Sequence, residues 1–272
     1  MIRLVATDLD GTLWDRTVTV RPDVRAAIDE LQRQGITVLA ATGRRPRSAR
    51  SALADNDLSL PAVCLDGTFG EDFVLGRRFH ESLFDAPTAL AVLELFVAHD
   101  VGPNVFVDHH EVDVLLAAMP THRPERAESL LDWARIGPLH ESVPEHRVAA
   151  FTVIGGEYDR LAPLAAAVTA AGLARATLTS DSLYGGTSLS VIPAPASKWA
   201  GVAAFAAAHG IEPSEVLGVG DAANDLELLE GAGCAVAVRS GAPEVVAVAD
   251  ELIDPPGDGG WAAIVGLCAE RA

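Results

Sequence analysis

The apolar run Ile2 to Thr7 ends directly in Asp8-Leu9-Asp10-Gly11-Thr12-Leu13, so two carboxylates two positions apart sit at the C-terminal tip of what reads as a buried strand. Open α/β sheets gather their chemistry at such tips. Asp-Gly is also a common turn dipeptide, and alone it would mark no more than a turn. Two further strand-like runs repeat the arrangement. Ile36 to Ala41 ends in Thr42-Gly43-Arg44, and Ser214 to Gly220 delivers Asp221-Ala222-Ala223-Asn224-Asp225. Lys198 opens a helical stretch just before the third run, and it is the only lysine among 20 cationic residues, the others being arginine. A lysine retained where lysine is otherwise avoided points to chemistry rather than to surface charge.

Strand-like and helical patterns alternate along the chain, which predicts an α/β fold with a parallel sheet. Pro22 and Gly35 frame a helix over Asp23 to Gln34 by the Pro-first, Gly-last asymmetry. A helix from Pro46 to Leu53 and a strand from Ala62 to Leu65 follow. From about Ser82 to Ile192 the character changes. Helical stretches (Ala89 to Ala98, Leu161 to Ala171) separate strand-like runs at Asn104 to Val107, Val148 to Ile154, Thr177 to Ser180 and Leu189 to Ile192. The expected organisation is a core of residues 1–81 and 193–272 with a separate α+β module at 82–192. Pro255 to Gly260 reads as a loop before a final helix.

The 272 residues suffice for one large core and a smaller insert, and a hydrophobic fraction of 49% excludes a disordered chain. The net charge of −18 repels nucleic acid and anionic membranes. No apolar run reaches membrane-spanning length, and a first strand starting at Ile2 leaves no room for a signal leader, so a cytoplasmic protein is expected. Cys64, Cys234 and Cys268 are odd in number and lack metal-ligand spacing, which predicts reduced, buried thiols.

The ordered set Asp8-x-Asp10-Gly11-Thr12, Thr42-Gly43-Arg44, Lys198 and Gly220-Asp221-x-x-Asn224-Asp225 resembles the motifs of the haloacid-dehalogenase-type phosphohydrolases, within them the Cof-type (subfamily IIB) branch. The resemblance implies a Rossmann-like parallel-sheet core with an inserted α+β cap that closes over the site and shapes specificity. It implies Asp8 as nucleophile and metal ligand, forming an aspartyl-phosphate. Asp10 would give a backbone carbonyl to Mg2+, while its side chain protonates the leaving oxygen and later deprotonates water. Asp221 would supply the second metal carboxylate, with Asn224 and Asp225 holding metal-bound water and the lysine. Thr42 and the backbone N–H groups of Leu9, Asp10 and Gly43 would bind phosphoryl oxygens, Arg44 would meet substrate anions, and Lys198 would neutralise developing charge. The implied partner is a small phosphorylated metabolite, sugar phosphates foremost.

Residue types fit that chemistry. Phosphate monoesters hydrolyse extremely slowly in water, and a carboxylate attacks an anionic phosphoryl group only where cations screen the repulsion. Mg2+ suits a few carboxylates, a phosphate and retained waters. Asp66-Gly67-Thr68 departs from the branch, which usually carries Asn-Gly-Ala there, and Trp199 replaces a small residue after the lysine. His109, His110, Arg123, Arg126 and Arg147 are candidates for leaving-group contacts in the insert. Phosphotransferase or mutase chemistry on the same core is one alternative. NADP binding is another, since Gly218-Val219-Gly220-Asp221-Ala222-Ala223 fits G-x-G-x-x-A and Arg239 ends the next strand, although Asp221 has the wrong sign for a pyrophosphate site.

Overall fold

β1 (Leu4–Thr7) is buried along its whole length, as a strand covered on both faces must be, and its sequence is accordingly apolar without alternation. The computed structural model describes residues 1–118, 131–180 and 185–271. Among them the chain divides into two compact units, one of Met1–Glu81 with Ala196–Ala272, the other of Ser82–Pro195.

In the first unit β1 is flanked on one side by β2 (Thr37–Ala41) and β3 (Ala62–Cys64), and β4 (Phe69–Asp72) and β5 (Arg77–Glu81) continue the sheet beyond β3. After the insert, which contributes β6 to β11, the sheet resumes on the other side of β1 with β12 (Val216–Gly220), β13 (Cys234–Val238) and β14 (Glu251–Ile253). β1 pairs in parallel with both β2 and β12, Leu4 standing opposite Thr37 and opposite Val216. The strand order therefore reverses at β1, and the tips of β1, β2 and β12 open onto one crevice.

Two expectations need correction. The third strand stops at Cys64 rather than Leu65, because Leu65, Asp66 and Gly67 all take positive φ (45°, 53° and 107°) and turn the chain back into the antiparallel hairpin β4–β5, which extends one edge of the parallel core. Gly67 is required there, since a Cβ would fall 2.0 Å from the Ser197 carbonyl oxygen. The strand expected from Ser214 begins only at Val216; Pro213–Glu215 is a 3-10 turn in which the Glu215 carboxylate accepts the Glu212 N–H at 3.0 Å.

Helices cover the sheet through apolar faces at helical spacing, as with Val24, Ala27, Ile28 and Leu31 of the helix Pro22–Arg33. The helix Lys198–Ala208 starts at a Ser197 cap, whose hydroxyl accepts the Ala200 N–H at 3.1 Å. It runs close to β3, because a Cβ on Gly201 would lie 2.6 Å from Val63. Trp199 packs where a small residue was expected because Gly231 makes room: a Cβ there would sit 2.3 Å from the indole.

The second unit holds a sheet in the order β10 (Ala174–Ser180), β11 (Thr187–Pro193), β9 (Val148–Gly156), β6 (Asn104–Val107), β7 (Val114–Leu116), β8 (Ala134–Ile136). The helices Ala86–Ala98 and Tyr158–Ala171 pack on it around Phe96, Phe151 and Leu164. The three-residue strands β7 and β8 are too short to show periodicity in sequence. Cys64, Cys234 and Cys268 are free and buried. No helix among the described residues is long and apolar enough to cross a membrane.

Candidate active site

Asp8 follows β1, and its N–H donates to the Val219 carbonyl at 2.9 Å, which fixes the first acidic residue against β12. Its carboxylate meets the single lysine: Lys198 Nζ lies 2.6 Å from Asp8 Oδ1 and 2.6 Å from Asp225 Oδ1, with Lys198 only 1% exposed. Buried ion pairs persist only when their remaining polar atoms are satisfied. Here Asp225 Oδ2 accepts the N–H groups of Asp221 and Ala222, each at 3.0 Å. Asp221 accepts the Thr12 hydroxyl at 2.6 Å, and Gly11 (φ 95°) lets the loop pass close, since a Cβ would fall 2.6 Å from Asp221 Oδ2. Carboxylate oxygens of Asp8, Asp221 and Asp225 all lie within 4.8 Å of one another, a cluster that could hold a metal ion.

Burial drives the Asp8 carboxyl well above the usual range; Lys198 opposes this, while Asp225, Asp221 and Asp10 add to it. Asp221 is pushed up to about 6, first by burial and then by Asp225, against the pull of the Thr12 hydroxyl. Burial acts to lower Lys198, but Asp225, Asp8 and Asp66 outweigh it and hold the ammonium charged above its ordinary range.

Asp10 points elsewhere. Arg44 grips it bidentately, Nε to Oδ2 at 2.6 Å and Nη2 to Oδ1 at 2.5 Å, and the Trp14 indole N–H donates to Oδ1 at 2.9 Å. Arg44 therefore meets the Asp10 carboxylate rather than standing open for a substrate anion. The Thr42 hydroxyl accepts the Arg44 N–H at 3.1 Å, a local turn bond that leaves its own proton for another acceptor. Asp66, in the turn after β3, accepts from Asn224 Nδ2 at 2.8 Å and lies 3.2 Å from where a Gly43 Cβ would be. Among the described residues, Asn224 Oδ1 is buried without a partner.

The structure thus brings Asp8, Lys198, Asp221 and Asp225 into one group, with Leu9, Thr42 and Gly43 on the loops that frame it and Asn224 held on Asp66 rather than on the lysine. Sequence reasoning missed Trp14 and the role of Thr12. Thr12 stood inside the quoted motif; Trp14, four residues after Asp10 across a glycine turn, gave only a spacing. The Asp221 and Ala222 N–H groups that a dinucleotide pyrophosphate would need are taken by Asp225. In the second unit, His109 Nδ1 accepts the Glu111 and Val112 N–H groups, Arg147 pairs with Asp108 at 2.9 Å and His110 faces Glu111 at 3.6 Å. Arg123 and Arg126 lie outside the described residues.

A model of the haloacid dehalogenase-like hydrolase family matches residues 5–264. The chain is 23% identical over 263 residues to the 5-amino-6-(5-phospho-D-ribitylamino)uracil phosphatase YwtE of Bacillus subtilis, with 90% of each chain covered. It is 26% identical over 271 residues to the pyridoxal phosphate phosphatase YbhA of Escherichia coli, covering 92% of this chain and 93% of that protein. Its fold is similar to that of a haloacid dehalogenase-like hydrolase from B. subtilis, with a TM-score of 0.81 at 20% identity over 97% of this chain and 99% of the other.

Proposed function

The chain belongs to the haloacid dehalogenase-like hydrolases, among their Cof-type phosphatases, and from that premise we propose that it is a Mg2+-dependent phosphatase that cleaves a small phosphate monoester through a phosphoryl group on Asp8. The observation that carries this reading is the buried Lys198 ammonium shared by Asp8 and Asp225, 2.6 Å from each, with Asp221 beside them. The three clustered carboxylates form a hard-oxygen donor set suited to Mg2+. Asp8 and Asp221 would ligate it together with the Asp10 carbonyl, while Asn224 and Asp225 hold its surroundings. Mg2+, when bound, screens the carboxylates from the phosphoryl oxygens and offsets charge gathered on them.

Asp8 attacks phosphorus in line, and the P–O bond to the leaving group breaks with its electron pair passing to the leaving oxygen, which takes a proton from Asp10. Asp10 then removes a proton from water as the water oxygen attacks the phosphoryl group and the bonding pair returns to Asp8. Lys198 offsets the charge on the equatorial oxygens, and the Thr42 hydroxyl and the Leu9, Asp10 and Gly43 N–H groups donate to them. The inserted unit selects the leaving group, and phosphorylated metabolites such as those named for the curated relatives are the substrate class. Three free cysteines accord with a reducing cytoplasm.

The test is a panel of phosphate esters assayed with Mg2+ for released inorganic phosphate. Release that chelator abolishes and Mg2+ restores is expected; full activity in chelator would overturn the metal assignment, and transfer to an added sugar in place of release would overturn the hydrolase.

A further inference from the structure

Thr7 is the polar residue of an otherwise apolar β1, fully buried, and its hydroxyl is used twice. Oγ1 accepts the Trp261 indole N–H at 2.9 Å and donates to the Asp8 carbonyl at 2.8 Å. An indole N–H only donates and a hydroxyl carries a single proton, so a Thr7 oxygen that faces the indole spends its proton on Asp8. The Asp8–Leu9 peptide is planar and trans, which sends the Leu9 N–H to the side opposite the Thr7 hydroxyl. Among the described residues nothing accepts that N–H, although Leu9 is 0% exposed. Buried backbone donors without an acceptor are rare, and one that follows Asp8 directly points to a ligand.

Trp261 is itself firmly seated. It is fully buried in the 3-10 turn Gly260–Ala263, 254 residues from Thr7. Gly259 enters that turn at φ 77°, and a Cβ on Gly260 would fall 1.9 Å from the Asp254 carbonyl oxygen, so the loop packs back on the end of β14. A buried indole needs a partner for its N–H, and any acceptor would meet that need. Here the acceptor is a hydroxyl whose own proton continues the line to the backbone of Asp8. A hydroxyl that accepts a hydrogen bond donates more strongly, and a carbonyl that accepts one polarises its peptide N–H.

We propose that Trp261 is a positioning residue, which through the Thr7 hydroxyl and the Asp8 carbonyl fixes and polarises the Leu9 N–H that donates to the phosphoryl oxygens. The indole acts along this line alone. The inference rests on the reading of the Leu9 N–H as a phosphoryl donor.

The Mg2+-loaded enzyme would be assayed with 4-nitrophenyl phosphate. Thr7→Val keeps the shape and removes the hydroxyl. It is expected to lower kcat/KM about 10-fold, less than the ~10² to 10³ that outright loss of an oxyanion donor costs, and Thr7→Ser to restore the rate to within about twofold. Trp261→Phe should also lower kcat/KM in the native background and cost nothing further in the Thr7→Val background, because the two residues act on one line. If Trp261→Phe folds poorly, benzothienylalanine at position 261 replaces only the N–H and keeps the ring; the same outcomes decide. A loss at Trp261 that adds in full to that of Thr7→Val, or no recovery with Thr7→Ser, would make the pair merely structural and overturn the proposal. An unchanged rate at Trp261 would overturn it equally. The α-hydroxy analogue of leucine at position 9 removes the N–H itself and separates the premise from the proposal. A loss on the order of 10² there with none at Trp261 would overturn the proposal alone, whereas no loss there would overturn the Leu9 assignment beneath it. Absence of Mg2+-dependent phosphate release from the native enzyme would overturn the phosphatase reading itself.

Discussion

The Thr12 hydroxyl donates to Asp221 at 2.6 Å, tying the loop after β1 to the loop after β12. Thr12 is fully buried, so Thr12→Val keeps the shape and removes only the donor. A hydrogen bond to a charged group is worth about 1.5–3 kcal/mol, and urea unfolding of the metal-free variant should show a loss of about 2 kcal/mol. Half-maximal activation should need more Mg2+, because Asp221 loses its orientation. Unchanged stability together with unchanged Mg2+ dependence would show that the bond positions nothing.

Lys198 is the counter-charge of two buried carboxylates. Lys198→Ala should cut turnover by ~10² to 10³, comparable with losing one preorganised charge-stabilising group. Lys198→Arg should recover little, since a planar fork does not fit a buried point-charge site between two aspartates. Steady-state assays with an aryl phosphate check both, and near-normal turnover in either variant would remove Lys198 from the chemistry.

Asp8 and Asp10 should fail differently. Asp8→Asn removes the nucleophile and should form no phosphoryl adduct. Asp10→Asn keeps the nucleophile and slows water attack, so with an aryl phosphate the adduct should accumulate. Intact mass after rapid acid quench distinguishes them, and an adduct on the Asp8→Asn variant would exclude Asp8 as nucleophile.

The raised Asp221 carboxyl sets a pH dependence. Its value rises from 3.8 to about 6 on folding, so between those limits the folded state binds the proton more tightly than the unfolded state. Stability of the metal-free protein from this group is therefore full at the acid end and is lost as pH rises through about 6. Mg2+ competes with that proton. The gap in Tm between Mg2+-loaded and metal-free protein should be widest near pH ~7 and close toward pH ~4. A gap independent of pH, read by differential scanning fluorimetry, would exclude Asp221 as a ligand.

Much of this arrangement was legible because chemistry at strand tips leaves both partners of a pattern in sequence, an apolar run and the polar cluster that ends it. Asp8, Thr42 and Asp221 declare themselves in that way, and Lys198 by its singularity. What stayed hidden depends on direction rather than type. Nothing in the string says that the Asp10 carboxylate turns to Arg44 and Trp14, because that follows from the close turn at Gly11. Likewise Asp66 finds Asn224, 158 residues away, only because three successive positive-φ residues stop β3 early. Short strands such as β7 and β14 leave no period to read.

β1 sits between a neighbour close in sequence and one that follows roughly 210 residues later, beyond the whole inserted unit. At ribosomal speeds of about 5–20 residues per second, one edge of the central strand waits on the order of 10–40 seconds for β12 to be made. Throughout that interval the Asp8 carboxylate has neither Lys198 nor Asp225 beside it. The nascent chain thus carries an apolar strand with an open hydrogen-bonding edge, a target for chaperones and for premature pairing, and catalytic competence arrives only once Lys198, Asp221 and Asp225 have all been made.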